Sequence, residues 1–153
     1  MKKIIAVIGA ADAAPELLTL AREIGAGIAQ NGWTLVTGGL SGVMEAASIG
    51  AHAQGGTVVG ILPTATTEAA NPYVTIPIAT NMGHARNAII AHTADALVAV
   101  GGGYGTLSEI AIAKKLGKRV FGLSTWNIEG VEQKESVEEV IGALKEMLGS
   151  QIT

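Results

Sequence analysis

The chain has 153 residues, 48% of them apolar, 15% charged and 3% aromatic. With a mean hydropathy of +0.41 it lacks the low hydrophobicity and high charge that keep a chain disordered, and its length fits one domain spanning residues 1–153. A net charge of −3 and a pI near 5.6 give no basic surplus for a phosphate backbone, which argues against nucleic acid as a partner.

Ile4 to Ile8 reads as a buried strand. Behind Lys2-Lys3 it imitates a signal peptide, even to Ala11-Asp12-Ala13, but the apolar stretch is short and stops at Gly9. Leu17, Ala21, Ile24 and Ile28 then recur at helical spacing, with Pro15 in the first turn and Gly32 as the stop. Trp33 to Val36 forms the next strand, Val43 to about Ala53 a second helix, and Thr57 to Ile61 a third strand. The segment Leu62 to Asn71 is Thr-rich and aperiodic, the mark of a long and often functional loop. Val74 to Ile78 is a short edge strand with Pro77 inside it. A helix over Gly83 to His92, a strand over Ala96 to Val100 and a helix over Leu107 to Leu116 follow. Arg119 to Leu123 reads as the last strand, and Val137, Val140, Ile141, Leu144 and Leu148 mark a final amphipathic helix.

Strands buried on both faces, alternating with helices, predict an α/β, three-layer Rossmann-like fold with a mainly parallel sheet. Ligands in such sheets sit beyond the carboxyl ends of the strands. Two glycine turns occupy that position. Gly101-Gly102-Gly103-Tyr104-Gly105-Thr106 leaves a strand and opens a helix, so its amides can receive an anion such as phosphate. Gly38-Gly39-Leu40-Ser41-Gly42 repeats the arrangement, with Ser41 able to cap the helix or touch a ligand oxygen. In both turns the alternative is a tight bend without a ligand.

Thr106 and Glu109 have the spacing of a capping box, as do Ser136 and Glu139, so capping alone accounts for Glu109. The functional alternative is a carboxylate beside a bound sugar phosphate. Arg86, in Asn81-Met82-Gly83-His84-Ala85-Arg86-Asn87, starts a helix where a cation opposes the dipole; it needs an anion, from ligand or from Glu109, or else it is a solvated surface residue. Lys114, Lys115, Lys118 and Arg119 sit where a helix end favours cations. Trp126 could stack on a base, plug the core or meet another subunit.

His52, His84 and His92 lack metal-ligand spacing, so no metal is expected. No G-x-G-x-x-G stands in the Gly9 to Pro15 turn, and the Walker and G-x-S-x-G motifs are missing, so no cofactor is expected. No apolar run reaches the ~20 residues of a membrane helix. The lack of cysteine excludes thiol chemistry and suits a cytoplasmic protein. The low charge predicts apolar surface covered by further copies, a homodimer or larger homo-oligomer.

Gly101 to Glu109, GGGYGTLSE, resembles the P-G-G-x-G-T-x-x-E motif of the LOG proteins, often labelled "possible lysine decarboxylase". Gly38 to Met44, GGLSGVM, is similar to that family's first glycine loop, and Met82 to Arg86 resembles its M-x-x-R-K element with one extra residue. The resemblance implies a Rossmann-like fold, oligomeric assembly and hydrolysis of the N-glycosidic bond of cytokinin riboside 5'-monophosphates; nothing in the residues supports pyridoxal chemistry. It assigns Glu109 and Arg86 to catalysis, and Gly102 to Gly105 with Thr106 to phosphate. Gly101 in place of the motif's proline, Asn87 in place of lysine, Glu45 after Met44 and the short chain look closer to a branch that includes molybdenum-cofactor carrier proteins, which bind a phosphorylated pterin without turning it over.

Overall fold

A computed structural model describes residues 1–152. Seven parallel strands form one sheet in the order β4-β3-β2-β1-β5-β6-β7. They are β1 (Ile4–Ile8), β2 (Thr34–Thr37), β3 (Val58–Leu62), β4 (Ile76–Ala79), β5 (Ala96–Val100), β6 (Arg119–Leu123) and β7 (Val131–Gln133). Five helices cover it: α1 (Pro15–Gln30), α2 (Val43–Ala53), α3 (Arg86–Thr93), α4 (Tyr104–Lys115) and α5 (Val137–Leu148). Because side chains alternate along a strand, Ile5 and Val7 face a core closed by α1, α2 and α5. Ala6 and Ile8 face the opposite core, closed by α3 and α4.

Helices α1 and α2 approach backbone to backbone. A Cβ at Gly25 would lie 2.0 Å from the Ala47 carbonyl oxygen, and one at Gly50 would lie 1.9 Å from that of Arg22. Only glycine permits this contact.

Three sequence expectations are corrected. The predicted helix from Leu107 begins at Tyr104, because Gly101 and Gly102, at φ +56° and +114°, complete the turn and leave Gly105 free to be helical. The predicted helix from Gly83 is a single 3-10 turn, Gly83–Ala85, followed by α3. Arg119–Leu123 is not the last strand: β7 pairs with it, a three-residue edge of Val-Glu-Gln too short and polar to register as a strand pattern. Pro77 does sit in an edge strand, and β4 leaves Ile76 and Ile78 exposed, with Met82 just beyond them.

Candidate functional site

The chain leaves β1 toward β2, β3 and β4 on one side and returns through β5 to β6 and β7 on the other, so the strand order reverses between β1 and β5. Open α/β sheets bind ligands at such a reversal. A cavity of about 260 Å³ lies there, lined by Gly9 to Ala11 after β1, Gly38, Leu40 and Met44 after β2, His84, Arg86 and Asn87 around the start of α3, and Gly103, Gly105, Thr106 and Glu109 of the β5–α4 bend.

One end of the cavity is made of backbone. The N-cap of α4 is Gly103, which has no side chain to offer, and the N–H groups of Tyr104, Gly105 and Thr106 donate to no protein acceptor among the described residues. Helix α5 differs: its Ser136 hydroxyl accepts from the Glu139 N–H at 3.2 Å. Unpaired amides at a helix start carry partial positive charge and bind anions. A Cβ at Gly103 or Gly105 would meet nothing within 4 Å, so these glycines border open space. Gly102 is a packing glycine, since a Cβ there would lie 2.5 Å from the Thr106 side chain.

Arg86 is buried, which removes the solvated-surface reading. Its Nε donates to the Ile61 carbonyl at 2.9 Å, Nη2 to that of Gly38 at 3.4 Å, and Nη1 to Asn87 Oδ1. The guanidinium thus bridges the carboxyl ends of β2 and β3. Gly38 makes room for it: a Cβ there would be 2.5 Å from Nη2. Asn87 also donates to the Ser108 hydroxyl at 3.4 Å, which donates to the Gly105 carbonyl at 2.7 Å, linking the cation to the α4 bend.

Glu109 is 6% exposed, and its carboxyl has no protein hydrogen-bond donor among the described residues. Burial pushes it up to about 7, against the opposing attraction of Arg86. Burial likewise lowers Arg86, with Glu109 opposing, but a guanidinium remains a cation at neutral pH. The two are coupled without an ion pair; the one ion pair among the described residues is Arg119–Glu132, at 2.7 Å. Thr106 is a buried residue of the first helical turn and caps nothing, so the Thr106–Glu109 capping box is absent.

The cavity therefore gathers Gly38, Arg86, Gly103, Gly105, Thr106 and Glu109. Gly39, Ser41, Gly42, Gly101, Gly102 and Tyr104 lie beside it. Ser41 does not cap α2; its hydroxyl donates to the Ala11 carbonyl at 3.1 Å. Gly42 permits close approach to Ala10, whose carbonyl accepts from the Val43 N–H at 3.0 Å. Asn71, closing the Thr-rich loop, donates through Nδ2 to the Leu40 carbonyl at 2.9 Å and steadies the same turn. Tyr104 is exposed, and Trp126 is half-buried outside the cavity. Of the cations behind α4, Lys114 and Lys118 donate to carbonyls, and Arg119 makes an exposed ion pair with Glu132.

Sequence reasoning missed Gly9 to Ala11, Met44, His84 and Asn87 as lining residues. The first loop was legible in principle, since it follows the strand at which the order reverses. It carries no dinucleotide motif that would mark it in the sequence. No group of three or more metal-ligating side chains occurs among the described residues, and no helix there is long and apolar enough to cross a membrane.

The SLOG cluster4 family model matches residues 2–148. An uncharacterized protein of Archaeoglobus fulgidus is 51% identical, the match covering 90% of this chain and 91% of that one. A cytokinin riboside 5'-monophosphate phosphoribohydrolase of Mycobacterium marinum is 39% identical over 66% of this chain, which spans only 56% of that enzyme. Two solved structures match nearly end to end. The molybdenum cofactor binding protein of Rippkaea orientalis has a TM-score of 0.92 at 38% identity, covering 97% of this chain and 98% of that one. The molybdenum cofactor carrier protein of Chlamydomonas reinhardtii has a TM-score of 0.87 at 40% identity, covering 98% and 100%.

Proposed function

This chain belongs to the SLOG cluster4 family, and from that premise we propose that its cavity binds a phosphorylated, nucleotide-like small molecule. The observation that carries this reading is the uncapped start of α4, with three unpaired N–H groups beside a cavity that also holds Arg86. The phosphate rests on the Gly103 to Thr106 backbone, and Arg86 supplies the one full positive charge on the cavity wall. At about 260 Å³ the cavity is at the small end for ligand sites, enough for a sugar phosphate with its ring toward the mouth.

Two readings share this binding mode. Hydrolysis of an N-glycosidic bond is favoured by Glu109, a carboxyl without protein partners that is pushed up to about 7. Its carboxylate would stabilise positive charge developing on the ribose while water forms the new C–O bond and the base leaves with the bonding electrons and a proton. Binding without turnover is favoured by the end-to-end likeness to the molybdenum cofactor binding and carrier proteins, whereas the phosphoribohydrolase relative is nearly twice as long as the matched part. Incubation with AMP at high protein concentration, followed by chromatography for free adenine, separates them. Adenine released by the wild type and reduced ~10²–10⁴-fold in Glu109→Gln supports hydrolysis. Thermal stabilisation by nucleotides or pterins without product supports carriage, and neither stabilisation nor product refutes the binding mode.

The exposed Ile76, Ile78 and Met82 support assembly with further copies of the chain. Sedimentation should give a species larger than the 15.5 kDa monomer.

A further inference from the structure

Trp126 is not part of the cavity, yet it is tied to the bend that forms one end of it. After β6 the chain turns at Ser124, which holds a left-handed φ of +52°, and folds back over the β5–α4 bend. Thr125 Oγ1 donates to the Gly101 carbonyl at 2.6 Å, and Trp126 Nε1 donates to the Gly103 carbonyl at 3.1 Å. The segment is itself fixed from the far side, where Gln133 at the end of β7 donates through Nε2 to the Trp126 carbonyl at 2.8 Å. Gly122 leaves space for Thr125, since a Cβ there would lie 2.6 Å from the Thr125 methyl group.

A trans peptide is planar, so its N–H points opposite its C=O. A donor that holds the Gly101 carbonyl on one side directs to the other side the Gly102 N–H, which also has no protein acceptor among the described residues and leads into the Gly103 to Thr106 backbone. The Gly103 carbonyl accepts both the first helical bond of α4, from the Leu107 N–H at 3.0 Å, and the Trp126 Nε1–H, and this second donor adds to the hold that directs the Tyr104 N–H. We infer that Thr125 and Trp126 are positioning residues for anion binding: from outside the cavity they set the direction in which the glycine bend presents its amides. The inference rests on the phosphate-binding reading above and extends it to side chains that touch no ligand.

The test compares wild type, Thr125→Val, Thr125→Ser and Trp126→Phe, titrated with ribose 5-phosphate by calorimetry, with amide spectra and melting temperatures of the free proteins. Losing one neutral hydrogen bond that orients the bend should raise the Kd on the order of fivefold in Thr125→Val and in Trp126→Phe. The Gly102 and Tyr104 amide resonances should shift in those variants. Thr125→Ser keeps the hydroxyl and should stay within about twofold of wild type.

Unchanged affinity in both donor-deleting variants overturns the inference, even if they melt at lower temperature, because that is the signature of a merely structural contact. So does equal weakening in Thr125→Ser and Thr125→Val. A wild type that neither binds ribose 5-phosphate nor shows amide movement refutes the phosphate-binding reading, and this inference with it. Binding by wild type with no effect in the variants overturns this inference alone.

Discussion

Replacing Glu109 by glutamine should stabilise the protein by an amount that grows as pH rises from about 4.5 and levels off above about 7. In the unfolded chain the carboxyl ionises near 4.5; in the folded protein burial raises it to about 7, Arg86 opposing. Below about pH 4.5 both states hold the proton and the residue is neutral to stability. Between that pH and about 7 the unfolded chain loses its proton while the folded one keeps it, so stability falls as pH rises. Above about 7 the folded protein carries a buried charge. At about 1.4 kcal/mol per tenfold change in proton affinity, the full penalty is about 3 kcal/mol. Glutamine has nearly the same shape and no charge, so it removes the penalty. Urea unfolding of wild type and Glu109→Gln at pH 5, 6, 7 and 8 should show a gap that opens with pH toward about 3 kcal/mol. A gap independent of pH, or a variant less stable than wild type at pH 8, would refute the assignment of a strained, unpartnered carboxyl.

Gly103→Val should leave the melting temperature nearly unchanged, because a Cβ there meets nothing within 4 Å, while abolishing ribose 5-phosphate binding measured by calorimetry. Gly25→Ala should destabilise the fold by about 1–3 kcal/mol in urea titrations through overpacking against the Ala47 carbonyl. Ser136→Ala removes the cap of α5 and should cost about 1 kcal/mol of stability without changing ligand affinity, a control far from the cavity.

Helical spacing and apolar runs made most of the layered α/β arrangement legible, because strands covered on both faces leave an unmixed apolar signature. β7 escaped because a three-residue polar edge has no such signature. Glu109 shows a sharper limit. Its spacing from Thr106 satisfies a local capping pattern, and only the structure shows that Thr106 is already inside the helix. Gly38 was legible as a special position, but the reason was not: it makes room for a guanidinium arriving from 48 residues away. Trp126 likewise acts through a contact 23 residues distant that no local pattern encodes.

The glycine contact between α1 and α2 bears on how binding preference can change. The loops these helices carry are fastened to each other through Val43 to Ala10 and Ser41 to Ala11, so they form one stiff jaw that cannot reshape without unseating two helices. The facing segment begins with Asn81 and Gly83 at positive φ and a single 3-10 turn, exposed over residues 81–85 with His84 at the mouth, before Arg86 and Asn87 turn into the buried wall. Substitutions that alter chemistry at the opening and leave the scaffold undisturbed therefore fall on the exposed residues 81–85, not on Arg86 and Asn87, which are bonded into it.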